Sequence, residues 1–172
     1  MSNRRKVTGS VSAGRRKVLG GLAAASGMVA LGTERVALAG SGGGNDLIFP
    51  GQRPHNFVVF QFNKADPSYQ EHVLFSVSAV LRKFGDDVRI VVTAFGPGIH
   101  ILLKKPLRPV SKFIHDSVSS LNDYGVEFHA CGNTLKALKL TKAAILPFAK
   151  YVDSGAVDLM ELQKRGYAYI SL

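Results

Sequence analysis

The sequence predicts a single α/β domain of three layers, in which helices cover both faces of a mainly parallel sheet of about five strands. Short apolar runs typical of buried strands alternate with segments whose apolar residues recur at helical spacing, and several of these segments end near a glycine. This alternation is typical of parallel sheets with both faces covered. The chain has 172 residues, and the 133 that remain after a predicted signal over residues 1–39 suffice for one domain with a hydrophobic core.

The predicted elements follow one another at short intervals. They are a strand over residues 57–62, a helix from Tyr69 to Phe84, a strand over 88–95, a helix from Val110 to Leu121, a strand over 126–130, a helix through about residue 144, a short strand near Tyr151, a helix after Ser154, and a strand over 167–170. Ligands of such folds meet the carboxyl ends of the strands. Cys131 and the loop over residues 95–100 should both emerge at that edge.

The first 39 residues have the features of a twin-arginine export signal. Arg15-Arg16 precedes a modestly apolar stretch over residues 18–31, and Ala37-Leu38-Ala39 supplies a small-x-small cleavage site. The apolar stretch is too short and too rich in glycine to span a bilayer comfortably. We therefore expect recognition by the twin-arginine (Tat) translocase and a location in the periplasm. Residues 40–55, with glycines and prolines but no apolar periodicity, should be a flexible lead-in.

Removal of this signal changes the net charge of the protein. The full chain has 22 Lys and Arg and 12 Asp and Glu, a formal net charge of +10. Residues 1–39 hold 7 of the basic and 1 of the acidic residues, which leaves 15 and 11, or +4. Because most of the basic excess belongs to the signal, nucleic acid is not an expected partner. Lys136, Lys139 and Lys142 should share one helix, as a solvated face or as a basic face that steers a small anion.

Cys131 is the only cysteine, and it stands between the strand predicted over residues 126–130 and the helix that follows. Amide N–H groups at a helix N-terminus favour an anion, and thiolates there have pKa values of roughly 3.5–7.5 instead of about 8.5. One cysteine cannot form an internal disulfide, so the thiol stays free, pairs between chains or is modified. A reactive thiol and a small packed hydrophobic residue both fit these observations.

Two histidines near this cysteine allow a second chemistry. His129 lies two residues before Cys131 on the same predicted strand and faces the same side, so it is either the general base of a cysteine hydrolase or a packed residue. His100, in the neighbouring loop, is the alternative base. The five histidines do not fall at paired metal spacings, and one cysteine cannot build a Cys-x-x-Cys site. We therefore expect no metal centre.

The segment Gly96-Pro97-Gly98 follows the second predicted strand. Glycines at these positions either form a tight turn or let the backbone approach a ligand closely. The sequence contains neither a phosphate-binding loop ending in Gly-Lys-Ser/Thr nor a dinucleotide fingerprint. We therefore expect no nucleotide cofactor, and nothing in the sequence indicates another cofactor.

Four segments, in their order and spacing, carry a resemblance to a known family. They are Val91 to His100 with its Gly-Pro-Gly loop, Gly125 to Thr134 around the cysteine, Ser154-Gly155-Ala156-Val157, and the closing stretch Leu162 to Ile170. Together they resemble the DsrE/DsrF-like family. The resemblance covers about residues 56–172, which is essentially the whole predicted mature domain.

The resemblance implies a DsrE-like α/β sulfur-relay fold. In that family a cysteine accepts sulfane sulfur as a persulfide and passes it to a partner, often within a homo- or hetero-oligomer, and Cys131 matches the sulfur-carrying cysteine. The residues that match the loops around this thiol, in supporting roles, are Gly96, Pro97, Gly98, Asn133 and Thr134. The best-known members act in cytoplasmic sulfur oxidation or transfer RNA thiolation, whereas an export signal separates this chain from those partners.

The leading interpretation is an exported sulfur carrier, possessing sulfurtransferase-like chemistry, that holds sulfane sulfur on Cys131. Its expected partners are a sulfur donor or acceptor protein or a small sulfane-sulfur compound, and its expected form is a homo-oligomer. The alternative is a non-enzymatic binding or assembly subunit, in which Cys131 is packed and the strand-end loops hold a small ligand or a partner.

Overall fold

The computed structural model describes residues 53–172. The predicted signal over residues 1–39, with Arg15 and Arg16, and residues 40–52 of the predicted lead-in lie outside the described residues. Between residues 53 and 172, no helix is both long and apolar enough to cross a membrane.

Strands and helices alternate along the described chain. The strands are β1 (Asn56–Phe62), β2 (Val88–Ala94), β3 (Glu127–Cys131), β4 (Lys150–Val152) and β5 (Ala168–Ile170). The helices are α1 (Pro67–Phe84), α2 (Lys112–Asp123), α3 (Gly132–Ala137) and α4 (Gly155–Lys164). Short 3-10 segments cover Gly85–Asp87, Gly96–Leu102 and Lys142–Ala144.

The five strands are all parallel and lie in the order β4-β3-β2-β1-β5. The chain therefore steps outward from β1 to β4 and returns through α4 to place β5 beside β1. On one face of the sheet, α1 and α2 pack in the larger core, where Val118 is buried. On the other face, Leu159 and Leu162 of α4 form a smaller core with Val59 and Val91. The predicted three-layer α/β fold with a parallel sheet is confirmed.

Strand alternation decides which side chains of β3 reach each layer. Successive side chains of a strand point to opposite faces. Phe128 and Ala130 belong to the larger core under α1 and α2. His129 and Cys131 instead form hydrogen bonds with residues of α4. The cysteine and the histidine predicted to share a side therefore both face α4.

Short polar residues set the starts of the two long helices. Asp66 accepts the Tyr69 amide ahead of α1, and Ser111 accepts the Ile114 amide ahead of α2. Each side chain satisfies an amide that lacks a partner within its helix. At its other end, α1 stops at Gly85, where φ is 54° and a residue with a side chain would be strained. The first two predicted helices are thus present near their predicted bounds.

The helix predicted after the third strand, through about residue 144, is too long. The observed helix α3 ends at Ala137, and Lys139 then has φ 57°. An α-helix of L-residues does not continue through this left-handed conformation. Lys142 lies in a separate 3-10 turn, while Lys136 lies in α3. Lys136, Lys139 and Lys142 therefore do not share one helix, contrary to the expectation from the sequence.

Candidate functional site

Cys131 is the last residue of β3 and directly precedes α3. The strand carries it to the carboxyl edge of the sheet, and α3 begins without an intervening loop. The residue is 5% exposed. The predicted position of the cysteine, at a strand end and a helix start, is thus observed.

Hydrogen-bond donors from two helices surround the Cys131 sulfur. The amide of Gly155, the first residue of α4, donates to Sγ across 3.2 Å. The Thr134 hydroxyl and the backbone amides of Asn133 and Thr134, in α3, also act on the sulfur and lower the pKa of the thiol. Burial raises the pKa of the thiol, but the Thr134 hydroxyl and then the backbone amides outweigh it, so the pKa of Cys131 is lowered. The site therefore favours the thiolate.

Thr134 is oriented by the loop that follows β2. Its Oγ1 accepts the Gly96 amide at 2.9 Å. A hydroxyl has one proton to donate and two lone pairs that accept, so the Thr134 proton remains free for Cys131. Gly96 has φ 52°, which favours glycine. Gly96 therefore acts on the thiol through Thr134.

The other residues predicted to support the thiol, Pro97, Gly98 and Asn133, differ in whether they contact it. Pro97 is exposed, and Gly98 is buried where a Cβ would overlap the Phe62 backbone. Gly98 therefore serves a close approach between two chain segments. Asn133 has an exposed side chain, and its amide also donates to the Asp153 carbonyl at 3.0 Å. The Asn133 amide contributes least to lowering the pKa of the thiol.

Two aromatic rings pack against the glycines on either side of the thiol. A Cβ on Gly132 would overlap the outer end of the Tyr151 ring. A Cβ on Gly155 would lie 2.9 Å from Cδ1 of Phe95. Because these two glycines have no side chains, Tyr151 of β4 packs against the start of α3, and Phe95 of the loop after β2 packs against the start of α4.

A buried polar cluster lies on the same face of the sheet as Cys131. Oδ2 of Asp158, in the first turn of α4, accepts the Thr93 hydroxyl at 2.7 Å and lies 2.8 Å from Nδ1 of His129. All three side chains are buried. Burial raises the pKa of Asp158, but the hydrogen bonds from His129 and Thr93 outweigh it and lower that pKa. Asp158 is therefore a carboxylate at neutral pH, with Nδ1–H of His129 as its donor.

The second ring nitrogen of His129 has no hydrogen bond. Nε2 is buried and lies 3.7 Å from Oε2 of Glu127, which is beyond hydrogen-bond distance. Glu127 itself accepts a hydrogen bond from Arg89 at 2.9 Å. Among the hydrogen bonds of residues 53–172, none joins His129 to Cys131. A general-base role for His129 stays a prediction.

His100, the alternative base, is buried in the 3-10 segment after β2. Its Nδ1 accepts the Leu107 amide at 3.2 Å. Burial, and then the nearby charge of Arg108, lower the pKa of His100. The ring is therefore neutral, and its unprotonated nitrogen is occupied by Leu107. A general-base role for His100 also stays a prediction.

Sequence reasoning missed Thr93, Asp158 and Gly155 as parts of the site. Thr93 is the polar residue of an otherwise apolar stretch over residues 90–94, and Asp158 interrupts the apolar run over 157–160. Polar residues at buried positions of a strand and a helix usually have partners. Neither position identifies the partner, because 65 residues separate Thr93 from Asp158.

The groove near the thiol does not favour a ligand of one particular charge. A groove of about 800 Å³ runs between β4 and α4, and its charged lining residues are Lys150, Asp153, Asp158, Glu161, Lys164 and Arg165. Three are basic and three acidic, so the groove selects neither anions nor cations by net charge. In the part of the chain that the structure describes, no group of three or more His, Cys, Asp or Glu side chains could hold a metal ion.

The chain is similar to one protein family and to several solved structures. The model of the DsrE/DsrF-like family matches residues 57–172. No curated protein matches the chain. A solved protein of unknown function, MTH1491 from Methanobacterium thermoautotrophicum, is 30% identical, with a TM-score of 0.61 over 68% of this chain and 99% of that one. The ychN protein from E. coli is 10% identical, with a TM-score of 0.56 over the same shares, and shows likeness of fold alone.

The family match covers most of the chain and includes every residue of the thiol site. Cys131, its donors Thr134 and Gly155, and the Gly96 loop all lie within residues 57–172. The chain therefore belongs to the DsrE/DsrF-like family.

Proposed function

We propose that this protein is a sulfur carrier that holds sulfane sulfur as a persulfide on Cys131. The observation that carries the proposal is the hydrogen bond from the Gly155 amide to the Cys131 sulfur, at 3.2 Å, at the point where β3 passes directly into α3. A cysteine that serves only as a small hydrophobic residue needs no such donor, whereas a thiolate nucleophile is stabilised by one. Membership of the DsrE/DsrF-like family supports sulfur chemistry at this position.

Loading begins when the Cys131 thiolate attacks the outer sulfur of a sulfane donor such as a polysulfide. A new S–S bond forms to Sγ, while the S–S bond of the donor breaks and its electron pair leaves with the remaining donor thiolate. Electrons balance within this exchange, so no separate oxidant enters. In the second step, an acceptor thiolate attacks the outer sulfur of the persulfide and Cys131 leaves as a thiolate.

The donors around the sulfur contribute to both steps. A larger thiolate fraction makes Cys131 ready to attack, and a thiol of lower pKa is also the faster leaving group. Thr134 and Gly155 supply these donors, and Gly96 orients Thr134. Because the lowered pKa favours the thiolate, we propose that the first step proceeds without His129 or His100 as a base.

Export and assembly complete the proposal. We propose that Arg15 and Arg16 direct the chain through the twin-arginine route to the periplasm, and that it acts there as a homo-oligomer with a sulfur donor or acceptor as its partner. Support for export comes from the order of the arginine pair, the apolar stretch and the small-residue site.

Replacing both arginines with lysine should leave the protein in the cytoplasm, as cell fractionation would measure. Export of that variant at the normal level would overturn the assignment of the signal.

Intact mass spectrometry tests the carrier directly. The purified protein and its Cys131→Ser variant are incubated with polysulfide, and their masses are recorded before and after a reductant is added. We expect the parent alone to gain one or more sulfur atoms and to lose them to the reductant. If the reduced thiol reacts with iodoacetamide yet gains no sulfur, the carrier proposal is wrong.

The second candidate is a binding or assembly subunit with a packed cysteine. The 5% exposure of Cys131 favours it, because a thiol that meets a partner must be reachable. Alkylation at neutral pH distinguishes the two candidates. Fast labelling of the folded protein supports the carrier, and labelling that requires denaturant supports the packed cysteine.

A further inference from the structure

Asp158 connects α4 to two strands of the sheet. Its carboxylate accepts from Thr93 in β2 and from His129 in β3, and all three side chains are buried. We propose that these three residues are positioning residues, which hold the first turn of α4 so that the Gly155 amide stays directed at the sulfur of Cys131. The inference rests on the proposed use of Cys131 as a thiolate.

The coupling between Asp158 and Gly155 runs through one turn of helix. The two residues are three positions apart in α4, where each residue adds about 1.5 Å of rise. The Asp158 amide also donates to the Ser154 carbonyl at 2.9 Å, which closes this first turn. A shift of Asp158 is therefore transmitted to Gly155. Because the bond to Sγ is 3.2 Å long, a displacement of about 1 Å would break it.

Apolar packing of α4 cannot supply this precision. Leu159 and Leu162 bury α4 against Val59 and Val91, but the hydrophobic effect has no direction and tolerates sliding of the helix along its axis. Two hydrogen bonds to one carboxylate oxygen, from neighbouring strands, fix both the slide and the rotation of the helix.

A buried carboxylate at this point needs a reason. Burial of a charge is costly unless partners compensate for it, and an apolar side chain would pack the helix as well. Asp158 has two donors, Thr93 and His129, and the charge of Lys150 in β4 also acts on it. On the other side of the His129 ring, Glu127 of β3 lies 3.7 Å from Nε2 and is itself paired with Arg89 of β2. What the carboxylate adds over an apolar residue is a directional constraint.

The test compares two replacements of Thr93 that differ in one group. Thr93→Val keeps the shape and removes the hydroxyl, with no change of charge, and Thr93→Ser keeps the hydroxyl. The rate of iodoacetamide alkylation of Cys131 is measured against pH in both folded variants. We expect Thr93→Val to react a few-fold to about tenfold more slowly at neutral pH, because a weakened hydrogen bond from Gly155 to the sulfur no longer favours the thiolate. The midpoint of the curve of alkylation rate against pH should move upward. Thr93→Ser should resemble the parent.

A matched control separates positioning from general loss of stability. Val118→Ala removes buried atoms from the core on the opposite face of the sheet, so it lowers stability without touching α4. Its alkylation midpoint should equal that of the parent. An equal midpoint in Thr93→Val and Thr93→Ser, or an upward move in Val118→Ala of the same size, would overturn the proposal.

Replacements of His129 give a second, independent test, which decides the question if Thr93→Val does not fold. His129→Asn keeps an N–H donor near the position of Nδ1, whereas His129→Ala removes it. Positioning predicts a raised midpoint in the Ala variant only. If His129 were a general base, both variants would lose it and their alkylation midpoints would change equally. Equal changes of the midpoint, or no change in either variant, would therefore count against positioning. Alkylation needs no sulfur donor, so this result is separate from success or failure of persulfide formation.

Discussion

The amide nitrogen of Gly155 lies 3.2 Å from the sulfur of Cys131, which joins the start of α4 to the end of β3. The contact depends on the lack of a side chain at Gly155, because a Cβ there would lie only 2.9 Å from Cδ1 of Phe95. Gly155 thus donates its amide to the sulfur and, because it has no side chain, leaves space for the Phe95 ring. This arrangement makes the thiol sensitive to small changes in the first turn of α4.

Gly155→Ala should weaken this contact. The new Cβ would lie 3.0 Å from Cβ of Phe95, an atom fixed to the backbone, so α4 must shift. We expect a loss of about 1–3 kcal/mol in the free energy of unfolding, typical of overpacking, and slower alkylation of Cys131 at neutral pH. Urea unfolding and alkylation rates measure the two effects. The control is Ala156→Ser, an exposed position in the same turn, and equal behaviour of both variants would contradict the prediction.

Thr134→Val should raise the pKa of Cys131 while keeping the shape of the side chain. The variant loses the hydroxyl that donates to the sulfur and accepts the Gly96 amide. A hydrogen bond contributes about 0.5–1.5 kcal/mol, so the thiolate fraction at neutral pH should fall a few-fold to about tenfold. Thr134→Ser should retain the parent's reactivity. A pH titration of alkylation checks both variants, and an unchanged midpoint in Thr134→Val would remove the hydroxyl from the set of donors.

Gly98→Ala should destabilise the fold more than Gly132→Ala does. At Gly98 the new Cβ would meet the backbone of Phe62, which cannot move away, and we expect a loss of at least about 1–3 kcal/mol. At Gly132 the Cβ would meet the outer end of the Tyr151 ring, which can rotate. Urea unfolding gives the order of the two free energies. The reverse order would mean that the Tyr151 ring is held as rigidly as the backbone.

The stability of the protein should increase with pH relative to Cys131→Ser. The pKa of Cys131 is lower in the folded state than the value of about 8.5 expected in the unfolded chain. A group with a lowered folded pKa stabilises fully above its unfolded pKa, and this contribution is lost as the pH falls through its folded pKa. The difference in unfolding free energy between the two proteins should therefore rise with pH up to about 8.5. Urea titrations under reducing conditions measure this difference, and a flat or falling trend would show that the thiolate is not favoured by folding.

The strand and helix pattern was predictable where local signals and packing agree. Phe57 to Phe60 forms a continuous apolar run, and α1 has both an N-cap at Asp66 and a glycine at its end. The segment after Ala137 was mispredicted because Leu138 and Leu140 are partly buried against the larger core without belonging to a helix. Their apolar spacing reflects tertiary packing, which spacing alone does not separate from helical periodicity.

The candidate site was predictable only in part, for a related reason. Cys131 could be placed at a strand end because the preceding strand and the following helix are adjacent in the sequence. Gly155 and Asp158 reach the site through the crossover that returns α4 over the sheet, and Thr93 reaches it through the pairing of β2 with β3. Contacts across such a connection depend on the strand order, and the sequence pattern does not determine that order.

The donors of the thiol come from segments that are far apart in the chain, and this ties chemical reactivity to completed folding. Gly155 is 24 residues from Cys131, and Gly96 is 38 residues from the Thr134 that it orients. A nascent or unfolded chain lacks these contacts, and its cysteine has ordinary acidity and little thiolate at neutral pH. The lowered pKa of the only cysteine therefore exists only once β2, β3 and α4 have assembled.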